Sequence, residues 1–140
     1  MTTTIYARFT VAYWCVLLAA LLPYACAFMA KYPSFGKPRS QGGYDNNDPR
    51  GWFARQQGWQ ARANAAQMNS FEALPFFIGA VIIAHQLGAS QTLVDILAVL
   101  FVTLRIIYVF MYVAGLPMAR SAIWALAFFA NIAIFFTGWR

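Results

Sequence analysis

Seven polar side chains stand in or beside stretches that are otherwise apolar, and their spacing groups them. Arg62, Asn69 and Glu72 fall at i, i+7 and i+10, along one face of a helix. Arg105, Tyr108 and Tyr112 fall at i, i+3 and i+7, again on one face, covering roughly 10 Å of helix axis. Arg120 follows after a short turn. Guanidinium forks grip carboxylates bidentately, and the single Glu72 carboxylate can take an ammonium. The set therefore suits a small ligand carrying carboxylates and an amine, with the second partner arriving from the bilayer. A charge at mid-membrane costs about 2.5–3.5 kcal/mol on insertion scales, so Glu72 and Arg105 are expected to face inward and pair. A plainer reading is that this pair only pins two helices together. Asn69, two tyrosines and two further arginines on the same side favour a binding site.

The elements that must carry these residues are membrane helices. Of 140 residues, 61% are hydrophobic and only 10% charged, where a water-soluble domain has about 25% charged. Mean hydropathy is +0.57. A chain this short buries only roughly two-thirds of its unfolded surface, so it lacks the polar surface to cover such a core in water. Phe9–Ala30, Ala73–Val94 and Ser121–Trp139 contain no Asp, Glu, Lys or Arg, and a fourth apolar run from Thr92 to Gly115 is broken only by Asp95 and Arg105. Each is near the roughly 20 residues that span a bilayer. The expected fold is all-α, an integral membrane four-helix bundle in one domain over 1–140, with helices about 7–30, 49–87, 92–114 and 117–138. The first run is as long as the others, where a signal peptide has a short apolar core, so it reads as a retained helix.

Local chemistry places the helix ends. Asp48 before Pro49 is an N-cap followed by proline at the first helical position. The helix that follows is expected to lie along the interface through Trp52, Phe53 and Trp59 before entering the membrane. Gly88 ends it. Thr92 and Asp95 resemble a capping box opening the third helix. Gly115 closes that helix, and Pro117 opens the fourth. Pro23 and Pro75 fall inside helices one and two. Lys31, Lys37, Arg39, Arg50, Arg55 and Arg120 fall on one side of the bundle, so those connections are expected to be cytoplasmic and both termini outward. That asymmetry accounts for most of the +6 net charge, and no basic soluble face suggests a nucleic-acid partner.

Cys15 and Cys26 are eleven residues apart on helix one, roughly 16 Å along the axis, too far to bond. They read as buried packing. His85 reads as a polar interfacial residue, and no Cys/His cluster has metal-ligand spacing.

Two stretches carry a family resemblance. Ala66-Gln-Met-Asn69-Ser-Phe-Glu72-Ala-Leu-Pro75-Phe76 resembles the helix-two signature of the MAPEG family, the membrane-associated proteins of eicosanoid and glutathione metabolism. That signature reads Arg-Ala-x-x-Asn-x-x-Glu with Pro-Phe shortly after. Arg105-Ile-Ile-Tyr108-Val-Phe-Met-Tyr112, continued by Gly115, Pro117 and Arg120-Ser121, is similar to its helix-three to helix-four stretch. The likeness is strongest to bacterial members. It implies a homotrimer in the bacterial inner (cytoplasmic) membrane, with glutathione as co-substrate bound between subunits on the cytoplasmic side. Asn69, Glu72, Arg105, Tyr108 and Tyr112 would then hold glutathione, and Arg120 would stabilise its thiolate. The family arginine before Ala-x-x-Asn is Ala65 here, and Arg62, one turn earlier, is expected to reach the same pocket. The implied activity is a transferase or peroxidase acting on a lipophilic small-molecule substrate dissolved among membrane lipids. Some members bind lipids or partners without catalysis, so the alternative is a non-catalytic lipid-binding protein or an accessory subunit of a larger membrane complex.

Overall fold

The side chains at the helix ends explain how this chain packs. The computed structural model describes residues 8–140, and within them four long helices cross the bundle: α1 (Val11–Lys31), α3 (Gly58–Gln86), α4 (Gln91–Val113) and α5 (Pro117–Phe136). A short helix, α2 (Pro49–Ala54), lies in the connection between α1 and α3. All four long helices have the length and apolarity to cross a membrane, and the protein is a multi-pass membrane protein. The expected start near residue 7 falls outside the described residues.

α3 and α4 pack against each other and against both outer helices, while α1 and α5 do not meet. Alanines 12, 19, 80, 84, 98 and 127 line the main core, and such small residues let membrane helices approach closely. Phe77 and Phe101 stack at 4.2 Å in its centre. Cys15 packs in this core. Cys26 packs in a second cluster with Ala66, Tyr108 and Val109. Both thiols are buried and free, as expected.

Backbone groups at helix ends need partners in a medium without water, and here neighbouring helices supply them. At the start of α1, Thr10 accepts from the Tyr13 amide, and Asp95 of α4 accepts from the Ala12 amide at 2.9 Å. The expected role of Asp95 as a cap on its own helix is therefore corrected. The N-cap of α4 is Ser90, without a side-chain bond, and Asp95 serves α1 because that helix's unpaired amides lie across from it. At the other end, Gln60 donates to the Ala30 carbonyl of α1 at 2.9 Å, and Arg62 donates to the Val113 carbonyl of α4 at 3.0 Å. Gly88 and Gly115 take the left-handed conformation after α3 and α4 (φ 66° and 74°), which an L side chain resists.

The expected helix over 49–87 is two helices. Asp48 caps α2 through the Gly51 amide at 3.0 Å, as its sequence implied. The chain then leaves helical geometry at Gln57 and turns through left-handed Gly58 (φ 61°). Trp52 turns into the connection between α1 and α3. It is 3% exposed, stacked edge-on to Tyr44, and Lys31 sits 4.3 Å from the Tyr44 ring centroid. The aromatic residues thus fold the loop onto itself, which is why α2 stops short of α3. His85 is built into the opposite end of the bundle. Its Nδ1 donates to the Val81 carbonyl, its Nε2 accepts from Thr10, and its ring stacks on Tyr13 at 4.3 Å.

Candidate functional site

The site is assembled from three helices. α3 presents Asn69 and Glu72, α4 presents Arg105, Tyr108 and Tyr112, and α5 presents Arg120 near its first turn. The i, i+3 and i+7 spacing on α4 stacks its three residues into a ladder. The Arg105 guanidinium carbon lies 4.2 Å from the Tyr108 ring centroid. Tyr108 meets Tyr112 edge-on at 5.7 Å, and the Arg120 guanidinium carbon lies 4.4 Å from the Tyr112 ring. A cation over a ring contributes about 0.5–1 kcal/mol at exposed sites and about 2 kcal/mol when desolvated, so the buried Arg105–Tyr108 pair is held more firmly than the half-buried Arg120–Tyr112 pair.

Arg105 is 3% exposed. Its expected ion pair with Glu72 is not formed, since the ion pairs among the described residues are Arg39–Asp45 and Arg55–Asp48 in the loop. Asn69 stands between the two. Its Oδ1 accepts from Arg105 Nη2 at 2.8 Å, and its Nδ2 donates to Glu72 Oε2 at 3.3 Å. The amide can bridge because it offers an acceptor on one side and donors on the other. Glu72 itself is left exposed on the outer face of α3.

Three adjoining hollows run along this wall. One, of about 240 Å³, is lined by Ala65, Met68, Asn69, Glu72, Tyr108 and Tyr112. A second, of about 210 Å³, is lined by Tyr108, Tyr112, Arg120, Ser121 and Trp124. The third, of about 170 Å³, lies deeper between α3, α4 and α5, and adds Phe76, Phe101, Phe128 and Asn131 to Asn69, Glu72, Arg105 and Trp124. Six of the seven residues expected from sequence therefore meet in one groove. Arg62 does not. The last carbonyls of α4 lack intrahelical partners and form the negative end of its dipole, and Arg62 is drawn there, beside Val113 and Gly115.

The groove is polar at one end and apolar at the other, with two guanidiniums facing one carboxylate. Sequence reasoning missed the α5 wall. Trp124, Phe128 and Asn131 follow Arg120 at i+4, i+8 and i+11, which continues its face down the helix. The available signal was Asn131, a lone amide in an uncharged run. No group of three or more His, Cys, Asp or Glu residues that could hold a metal occurs among the described residues.

One comparison identifies relatives: the model of the MAPEG family matches residues 11–139. No curated protein and no solved structure matches the chain.

Proposed function

Because the chain belongs to the MAPEG family, we propose that it is a membrane-bound glutathione-dependent transferase or peroxidase acting on lipophilic electrophiles or hydroperoxides. At the level of the family, membership supports a membrane function related to glutathione transfer or peroxide reduction. The observation that carries the finer reading is the ladder of Arg105, Tyr108, Tyr112 and Arg120 facing Asn69 and Glu72 across one groove. Glutathione has two carboxylates, one ammonium and a thiol, which complements two guanidiniums, two tyrosine hydroxyls and one carboxylate. Arg105 and the tyrosine hydroxyls would hold its carboxylates, and Glu72, oriented by Asn69, would hold its ammonium.

Arg120 would act on the sulfur. A free thiol has a pKa of about 8.5, and a neighbouring cation lowers it toward neutrality. The thiolate then attacks an electrophilic carbon, forming a C–S bond as the leaving group departs with its electron pair. With a hydroperoxide it attacks the terminal oxygen, and the O–O bond breaks to release an alcohol. The resulting sulfenic acid takes a second glutathione to give the disulfide and water.

The same reading makes the functional unit a homotrimer in a bacterial inner membrane. Lys31, Lys37, Arg39, Arg50, Arg55 and Arg120 would lie on the cytoplasmic side and the termini outside. A second reading, a non-catalytic lipid-binding or accessory subunit, is favoured by Ala65. It lines the 240 Å³ hollow at the position where the family pattern has arginine, and so removes one carboxylate partner.

Glutathione binding separates the two. At pH 7, glutathione mixed with the purified protein should show ultraviolet thiolate absorbance, and Arg120→Ala should remove it. Absence of binding to the wild-type protein at millimolar glutathione would refute the enzyme reading.

A further inference from the structure

Glutathione bound as its thiolate carries three negative charges and one positive. The groove offers two guanidiniums and one carboxylate, so one negative charge goes without a counterpart. Among the described residues, Arg105 and Arg120 are the basic side chains that line the three hollows. Arg62, expected as a third, is bonded to the Val113 carbonyl at the end of α4. The hollow beside Asn69 is lined instead by Ala65 and Met68. Arg105 is 3% exposed and already donates to Asn69, so it offers a ligand little more than one edge of its fork. The loop cations are engaged elsewhere: Lys31 is held over Tyr44 and Phe53, and Arg39 and Arg55 pair with loop carboxylates.

The polar residues fix which charge is left over. Asn69 joins Arg105 and Glu72 through a single amide, at 2.8 and 3.3 Å, so a cation and an anion stand side by side. That arrangement fits the amino-acid end of a ligand, whose carboxylate and ammonium share one carbon. In a γ-glutamyl thiol, seven covalent bonds separate that carbon from the sulfur, about 8 Å when extended. Arg105 and Tyr112 are seven residues apart, roughly 10 Å along α4, and Arg120 rests on the Tyr112 ring. With the amino-acid end on Arg105 and Glu72, the sulfur therefore falls within reach of Arg120. The glycine carboxylate is what remains. The groups left for it are the hydroxyls of Tyr108 and Tyr112, which donate but carry no charge.

We propose that the site selects a γ-glutamyl thiol whose far end is uncharged, with a carboxamide in place of the second carboxylate. A carboxylate loses hydration on entering the groove, and neutral hydroxyls return only part of it. A carboxamide accepts the same hydroxyl hydrogen bonds through its carbonyl and carries no charge to strand. This inference rests on the glutathione reading above and narrows the thiol which that reading names.

Calorimetry on the full-length protein in mild detergent tests this by comparing two ligands at pH 7. One is glutathione, and the other is glutathione with its glycine carboxyl converted to a carboxamide. The wild type should bind the amide roughly fivefold more tightly, the size of one partly exposed charge left unpaired. Ala65→Arg sets a guanidinium in the hollow that Tyr108 and Tyr112 also line, and should abolish that preference. Equal affinities in the wild type, or tighter binding of glutathione itself, overturn this proposal and leave the glutathione reading standing, because a further cation then completes the groove. Binding of neither thiol overturns both. An undiminished preference in Ala65→Arg shows that charge does not set it, and equally refutes the proposal. The wild-type comparison decides alone if the variant fails to fold.

Discussion

Removing Asn69 should destabilise the bundle through Arg105, and by more than removing Arg105 itself. In Asn69→Leu, a guanidinium that is 3% exposed loses its 2.8 Å acceptor and keeps only the face of Tyr108. A hydrogen bond to a charged group contributes about 1.5–3 kcal/mol, and a buried charged donor left alone lies at the upper end of that range. Asn69→Leu should therefore cost about 3 kcal/mol. Arg105→Met leaves behind only a neutral, half-buried amide that still bonds Glu72, and should cost about 1 kcal/mol. In the double variant no buried charge remains, so the losses should not add. The coupling should be about 1.5–2.5 kcal/mol. The parallel cycle of Glu72→Gln with Arg105→Met should give a smaller coupling, because Glu72 reaches Arg105 only through Asn69. Unfolding equilibria of the four variants and the wild type in one detergent supply both cycles. A larger coupling for the Glu72 pair, or additive losses for the Asn69 pair, would refute the bridged arrangement.

Three further outcomes follow from the helix ends and the topology. Arg62→Met should lower stability by about 1.5–3 kcal/mol, through the freed Val113 carbonyl, while changing glutathione affinity less than about twofold; a large affinity loss would return Arg62 to the site. Asp95→Leu should cost about 1 kcal/mol by uncapping α1, seen as faster amide exchange at Ala12 before any change at Gln91, and the reverse order would make Asp95 a cap of α4. In a background of Cys15→Ala and Cys26→Ala, Ser40→Cys should react with an impermeant reagent only from the cytoplasmic side and Ser90→Cys only from outside. Labelling of both from one side would refute the four-span topology.

The legible parts of this protein were those set by local chemistry or by a run of apolar residues. The four spans, the Asp48 cap and the turns at Gly88 and Gly115 need only near neighbours in sequence, and of the six site residues that share a groove, helical spacing within α3 and α4 sets five on two stripes. The errors arose where a choice among partners depends on another helix. Spacing shows that Asn69, Glu72 and Arg105 can meet, but not that the short amide wins the guanidinium and the carboxylate is held outside it. Arg62 and Asp95 each had a sensible local role, and each was taken instead by the orphaned end of a neighbouring helix. Nothing in sequence reveals that Tyr44 and Lys31 would meet Trp52 and Phe53. Asn131 was overlooked because a single amide makes no pattern along its helix.

The exposed Glu72 has a consequence for what the groove will accept. It stands at the midpoint of the 29-residue α3, on the outward side of a single chain, with one amide of Asn69 as its partner at 3.3 Å. An acidic group facing hydrocarbon carries a penalty of about 2.5–3.5 kcal/mol. Glu72 also borders the hollow formed with Asn69, Tyr108 and Tyr112. A cationic group lodged there would answer the carboxylate and lift the penalty of leaving it in hydrocarbon, so the groove favours an occupant that brings a positive charge with it.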